Sequence, residues 1–234
     1  MSRDLLAAVL TALVGVGAGT LGPRVIARLR EPEAEESGLL RPTFVEVAAT
    51  PRLAPKLALA GGLTGFVVGW QVGWTPALAA WAALTASCLV LGYVDARTRL
   101  LPTQLIAPSY WVIVVLLVAA AVADGSVGEV GRAFLGWLVM GGFYFMMWHF
   151  GPGLGYGDVR LSGLLAVCLG FLGWGELVTG LYSGFLLGGV SSLVLVLARR
   201  VNLKTQIPFG PFMMLGALVG LVWGQSLSGW YLPR

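Results

Sequence analysis

Charge is what this sequence has least of. Only 11% of its 234 residues are Asp, Glu, Lys or Arg, while 57% are hydrophobic; a soluble domain carries about 25% charge. That is too little to cover a water-soluble globule of this size, which excludes a cytosolic enzyme, a disordered chain and a coiled coil. Cysteine is nearly missing. Cys88 and Cys168 lie far apart inside apolar runs, so no CxxC, zinc or disulfide framework is available. Histidine occurs once, as His149, too few to build a metal site. The net charge of +4 would suggest nucleic acid in a soluble protein, but here its placement matters more than its sum, and no nucleic-acid partner is expected.

Long apolar runs are what the chain has instead. Eight are legible, at about Leu5–Leu21, Leu57–Trp74, Ala77–Val94, Leu105–Ala123, Ala133–His149, Leu161–Trp174, Leu177–Ala198 and Ile207–Leu227. Most approach the ~20 residues that cross a ~30 Å hydrocarbon core as helix, and the sixth is short. They lack the two-residue alternation of a spanning barrel strand. The expected fold is all-α: a polytopic bundle of about eight transmembrane helices in a lipid bilayer, forming one integral-membrane domain over residues 1–234.

Orientation follows from the basic residues. With both termini outside, only Arg3, Arg132 and Arg234 of the fifteen Lys and Arg remain outside, and the other twelve face inward. Met1–Leu21 reads as a first span rather than a cleaved signal, because Arg24, Arg28 and Arg30 follow the apolar run and Arg3 stands beside Asp4. The long polar stretch, Pro23–Lys56, is then a cytoplasmic loop, read as a solvated linker with a short amphipathic piece around Thr43–Ala49 on the bilayer surface.

Glycine, at 34 residues, is frequent, and much of it is spaced by four: Gly61, Gly65, Gly69 and Gly73; Gly180, Gly184 and Gly188; Gly216, Gly220 and Gly224. Such stripes let helix backbones approach closely in lipid. Contacts inside the bundle are the first expectation, and a homodimer through these Gly-xxx-Gly faces is the second. Tryptophans near span ends, among them Trp74, Trp148, Trp174 and Trp230, fit interfacial anchoring.

With only eleven acidic residues, each can be examined in turn. Five lie in the Pro23–Lys56 loop, Asp4 is near the N-terminus, and Asp124, Glu129 and Glu176 sit in expected outer turns. Asp95 and Asp158 remain. Asp95 closes the third span and Asp158 opens the sixth, both on the inner side. Two carboxylates meeting at one level of a helical bundle can act as a general acid/base pair, one activating water and the other protonating the departing group. Gly151, Gly153, Gly155 and Gly157 precede Asp158. Such residues free the backbone for positive φ and allow an extended peptide to approach. A helix C-terminus disfavours charge on Asp95, and a helix N-terminus favours it on Asp158. Asp158 is therefore expected to activate water, with Asp95 the protonated partner. His149 reads as an interfacial histidine, and the two cysteines as small apolar residues.

These residues resemble the type IV prepilin peptidases, membrane aspartic proteases of the GxGD type. Gly155-Tyr156-Gly157-Asp158-Val159-Arg160-Leu161 is similar to that family's second active-site motif, with Arg160 where Lys is usual. Asp95-Ala96-Arg97-Thr98-Arg99-Leu100-Leu101-Pro102 is similar to the first. Leu13–Leu29 resembles the first helix, and Ile207–Phe212 the start of the last. The resemblance implies Asp95 and Asp158 as catalytic residues. It also implies Gly155, Gly157, Arg160, Arg97 and Pro102 as substrate-binding or loop-shaping residues. The implied substrate is the cytoplasmic N-terminal leader of prepilins or pseudopilins, and the implied location is the bacterial inner membrane. Many members carry zinc-binding cysteine pairs in the first cytoplasmic loop, together with a methyltransferase activity. This loop has none, so neither zinc, S-adenosylmethionine nor any other cofactor is expected. A proton-coupled transporter would be expected to place its carboxylates near the midplane within an internal repeat, and an inactive accessory scaffold would not need the intact pair; the peptidase is the preferred reading.

Overall fold

A computed structural model describes residues 3–31, 41–151, 154–199 and 207–231, with the side chains of 230 and 231 excluded. Gly153, Arg200, Lys204, Arg234, residues 32–40 of the polar loop and the Trp230 side chain therefore lie outside the described residues. The described residues are helical and contain no strand. The helices are α1 (Arg3–Ala27), α2 (Phe44–Ala48), α3 (Leu53–Val72), α4 (Leu78–Thr98), α5 (Thr103–Asp124), α6 (Val127–Phe150), α7 (Tyr156–Leu172), α8 (Trp174–Leu197) and α9 (Gly210–Tyr231). Among the described residues, seven helices are long and apolar enough to cross a membrane: α1, α3, α4, α5, α6, α8 and α9. They also expose large apolar side chains outward, Trp111 to 76% and Leu59 to 66%, which suits lipid and not water. The chain is a multi-pass membrane protein.

The helix of the sixth run, α7, has 17 residues, about 25 Å at 1.5 Å per residue. Every residue from Leu161 to Phe171 is buried. A helix that is apolar all round belongs inside protein, and here α6, α8 and α9 pack on it. The first helix outruns its expected end at Leu21 and continues through Pro23 to Ala27.

The chain forms two compact units, Met1–Ser109 and Tyr110–Arg234, with the boundary inside α5. In the first unit, α1 and α3 touch backbone to backbone. A methyl group at Gly61 would collide with the Gly15 carbonyl, and one at Gly65 with that of Thr11. The Thr11 hydroxyl lies 2.7 Å from both Ala7 O and Gly65 O, tying the two helices with a polar contact. At one end, Ile26, Phe44, Val47, Leu53, Leu57, Val90 and Val94 form a buried cluster.

That cluster corrects the reading of the polar loop. The amphipathic piece is α2, begun by a reciprocal cap in which Glu46 N–H donates to Thr43 Oγ1 and Thr43 N–H donates to the Glu46 carboxylate. Its apolar residues Phe44 and Val47 are buried on α1, α3 and α4 side chains instead of lying on a bilayer surface. The end of the loop is thus part of the fold and more than a linker, because two large side chains found protein to bury against.

In the second unit, the glycine stripes of α8 and α9 meet. Side chains at Gly216, Gly220 or Gly224 would strike the backbone of Gly180, Gly184 or Glu176. All three stripes thus have partners within their own unit. Arg132, assigned from sequence to an outer turn, does more than carry charge. It lies in α6, and its guanidinium donates to the carbonyls of Gly170, Phe171 and Leu172, the last turn of α7. These carbonyls lack helical partners, and a cation there also suits the helix end.

Candidate active site

Asp95 lies in the last turn of α4 and is 4% exposed. The helix stops because Arg99 turns left-handed, at φ 57°, and its N–H donates to Asp95 O at 2.8 Å. Thr98 Oγ1 reinforces the end by donating to Val94 O, 2.8 Å away, and accepting from Leu100 N–H. Pro102 disfavours helix at the residue before it, and its carbonyl then accepts from the N–H groups of Leu105 and Ile106 to start α5. The Asp-to-Leu-Pro stretch is therefore a tight link between two helices that leaves Asp95 at the end of the first. Arg97 and Arg99 are exposed, and Pro102 is half-buried.

Asp158 lies in the first turn of α7 and is 8% exposed. Its carboxylate accepts the Gly155 N–H at 3.1 Å, while its own N–H donates to Gly155 O at 3.0 Å. This pairing fixes the carboxylate at the helix N-terminus. The Arg160 guanidinium stacks 4.5 Å from the centre of the Tyr156 ring, one turn back. The expected positive φ is not found at the described glycines here. Gly155 caps the helix in an extended conformation at φ −80°, Gly151 is extended at φ −111°, and Gly157 belongs to the first turn of α7. Gly155 is exposed and Gly157 half-buried, so bareness beside Asp158, not unusual backbone, is what these two contribute.

Among the described residues, Asp95 and Asp158 are the only buried charged side chains. Asp95 belongs to the first unit with Arg97 and Pro102; Asp158 belongs to the second with Gly155, Gly157 and Arg160. The helix ends are as expected from sequence: a C-terminus at Asp95 and an N-terminus at Asp158.

The neighbouring aromatic groups were less legible. Tyr144 of α6 is buried and stacks on Phe185 of α8 at 5.3 Å, with Phe209 6.3 Å away. Phe209, from the Ile207–Phe212 stretch, lies against Gly188, where a methyl group would come within 2.7 Å of its ring. Tyr110 of α5 donates its hydroxyl to Arg160 O at 2.8 Å. A lone tyrosine in an apolar run was the available signal for both Tyr110 and Tyr144, but nothing in the sequence says which carbonyl or ring it meets. His149 is exposed at the end of α6, stacked on Phe145 and edge-on to Phe150. Cys168 is buried and Cys88 half-buried, in keeping with small apolar residues. Trp74, Trp148 and Trp174 are partly exposed at or near helix ends.

The sequence profile of the type IV leader peptidase family matches residues 82–198, a stretch that contains both aspartates. The chain is similar to the prepilin leader peptidase/N-methyltransferase of Aeromonas salmonicida, 32% identical over 162 residues, covering 68% of this chain and 54% of the relative. It is also similar to the proteins so named in Pseudomonas aeruginosa (28% over 156 residues; 65% and 52%) and Legionella pneumophila (28% over 158 residues; 66% and 52%). The chain spans about half the length of these curated relatives. No solved structure matches it. With the family profile falling across the helices that carry Asp95 and Asp158, the chain belongs to the type IV leader peptidase family.

Proposed function

We propose that this chain is an aspartic endopeptidase of the bacterial inner membrane that removes the N-terminal leader of type IV prepilins or pseudopilins on the cytoplasmic side. The observation that carries the reading is the burial of two carboxylates, and among the described residues of no other charged side chain, at helix ends in a member of this family. Burying a carboxylate is costly, so a buried pair is expected to have a role in function. The inward bias of the basic residues supports the cytoplasmic side.

In this proposal Asp158 and Asp95 work as a pair. Asp158, ionised, takes a proton from water as the water oxygen bonds to the scissile carbonyl carbon. Asp95, protonated, supplies a proton to the departing amine as the C–N bond breaks, and the two groups then exchange protonation states. The Gly155 N–H bond and the N-terminus of α7 favour charge on Asp158. Burial opposes charge on Asp158, and these helix-end interactions offset part of that cost. Exposed Gly155, half-buried Gly157 and Pro102, and Arg97 and Arg160 would shape the path of the extended leader.

The donor set does not fit the zinc site of relatives that carry cysteine pairs. The chain's cysteines, Cys88 and Cys168, lie within α4 and α7, and its one histidine lies within α6. We infer a peptidase without methyltransferase activity or cofactor. Co-expression with a prepilin from the same genome tests both statements by intact-mass analysis. The wild-type chain should release a pilin with a free, unmethylated N-terminal amine, while Asp95→Ala and Asp158→Ala, expressed at equal level, should leave the leader attached. Cleavage by either variant refutes the pair, and a product one methyl group heavier refutes the loss of the second activity.

A further inference from the structure

The first turns of α7 carry Asp158, and a tyrosine of α5 meets them from one side. The Tyr110 hydroxyl donates to Arg160 O, a carbonyl two residues beyond Asp158; a helix carbonyl has a second lone pair for such a bond. The hydroxyl reaches it through a notch at Gly163, where any Cβ would overlap the Tyr110 oxygen and come within 2.8 Å of Trp137 Nε1. The Trp137 indole nitrogen borders the same notch.

Beyond this tie, an apolar cavity of about 320 Å³ opens between α5, α6 and α7. Val114, Leu117, Phe134 and Val167 are among its lining residues, and Tyr110 and Trp137 also border it. Apolar contact across such a space is non-directional. The hydrogen bond is directional and singles out one carbonyl of α7.

We propose that Tyr110 is a positioning residue for Asp158: by holding Arg160 O through the Gly163 notch, it sets the rotation of the α7 N-terminus and so the aim of the carboxylate. The effect on activity rests on the peptidase reading; the effect on the helix does not. Catalytic groups tolerate only about 0.5 Å of misplacement, and an error of 1 Å can cost about a hundredfold in rate.

The test uses the full chain in nanodiscs with a synthetic prepilin N-terminal peptide. Tyr110→Phe keeps the ring and removes only the oxygen. The expected result is a kcat lower by about tenfold with KM changed less than about twofold, and faster hydrogen–deuterium exchange across residues 156–164 while other helices keep their rates. Gly163→Ala should produce the same defect, and the two should not add. If Tyr110→Phe cannot be purified, Trp137→Phe, which removes the indole N–H bordering the notch beside the hydroxyl, should move both readouts in the same direction. Unchanged exchange, unchanged kcat, or a change confined to KM overturns the proposal. A wild-type chain that cuts no prepilin overturns the peptidase reading instead, and exchange in Tyr110→Phe still decides the positioning claim.

Discussion

Asp158→Asn should abolish leader cleavage, by at least about a thousandfold, while the protein unfolds at the same temperature as wild type or higher. The rate loss follows from general base catalysis, which contributes up to roughly 10⁴-fold, and from the tendency of paired groups to fail together. The stability follows from local geometry. The amide oxygen of Asn can still accept the Gly155 N–H that the carboxylate accepts at 3.1 Å, and loss of the charge removes a desolvation penalty at a site only 8% exposed. Activity and stability therefore separate, as they should at a site kept for chemistry. Residual cleavage above about one tenth of wild type, measured on purified protein with a leader peptide, would remove Asp158 from the reaction. Loss of activity together with a large drop in melting temperature would mean that Asp158 serves the fold.

The largest effect on stability is expected at the glycine contacts. Gly61→Leu inserts a side chain where even a methyl group collides with the Gly15 carbonyl and comes within 2.8 Å of Leu89 Cδ2. The obstacle is largely backbone, so α1 and α3 have to separate, which weakens the Thr11–Gly65 hydrogen bond and the neighbouring close contacts along both helices. Overpacking costs about 1–3 kcal/mol in soluble cores and sometimes more; more than about 3 kcal/mol is expected here, because close packing and interhelical hydrogen bonds largely replace hydrophobic drive between helices in lipid. Gly216→Leu should behave alike in the second unit, where Gly180 and Gly184 stand in the way. Gly17→Ala is the control. No atom lies within 4 Å of its notional Cβ, and alanine favours helix by up to about 1 kcal/mol over glycine. Unfolding in mixed micelles measures all three, and equal stability of Gly61→Leu and Gly17→Ala would contradict the packing described.

How far the sequence could be read depended on which interactions are local. Apolar length and the four-residue glycine spacing depend on neighbours along one helix, so the all-helical membrane fold and the close-packed stripes were legible. Scarcity of charge made Asp95 and Asp158 stand out, and both are buried at the helix ends expected. What depended on a distant partner was not legible. Phe44 and Val47 read as a surface-lying face until Ile26, Leu57 and Val94 covered them. Arg132 read as a loop charge because its partners, the final carbonyls of α7, are about forty residues away. The glycines before Asp158 suggested left-handed backbone. At Gly155, however, an N-terminal cap needs extended geometry, which any residue can adopt.

The most direct test of the acid/base pair is kcat/KM against pH for the purified chain on a prepilin leader peptide. A pair with one carboxylate ionised and one protonated gives a bell. The rate falls on the acid side as the ionised member takes up a proton, and on the alkaline side as the protonated member loses its own; both limbs belong to the pair. That bell is expected in wild type, with no measurable cleavage in Asp95→Asn or Asp158→Asn. A rate that rises to an alkaline plateau, or a full bell that survives in Asp95→Asn, would contradict it.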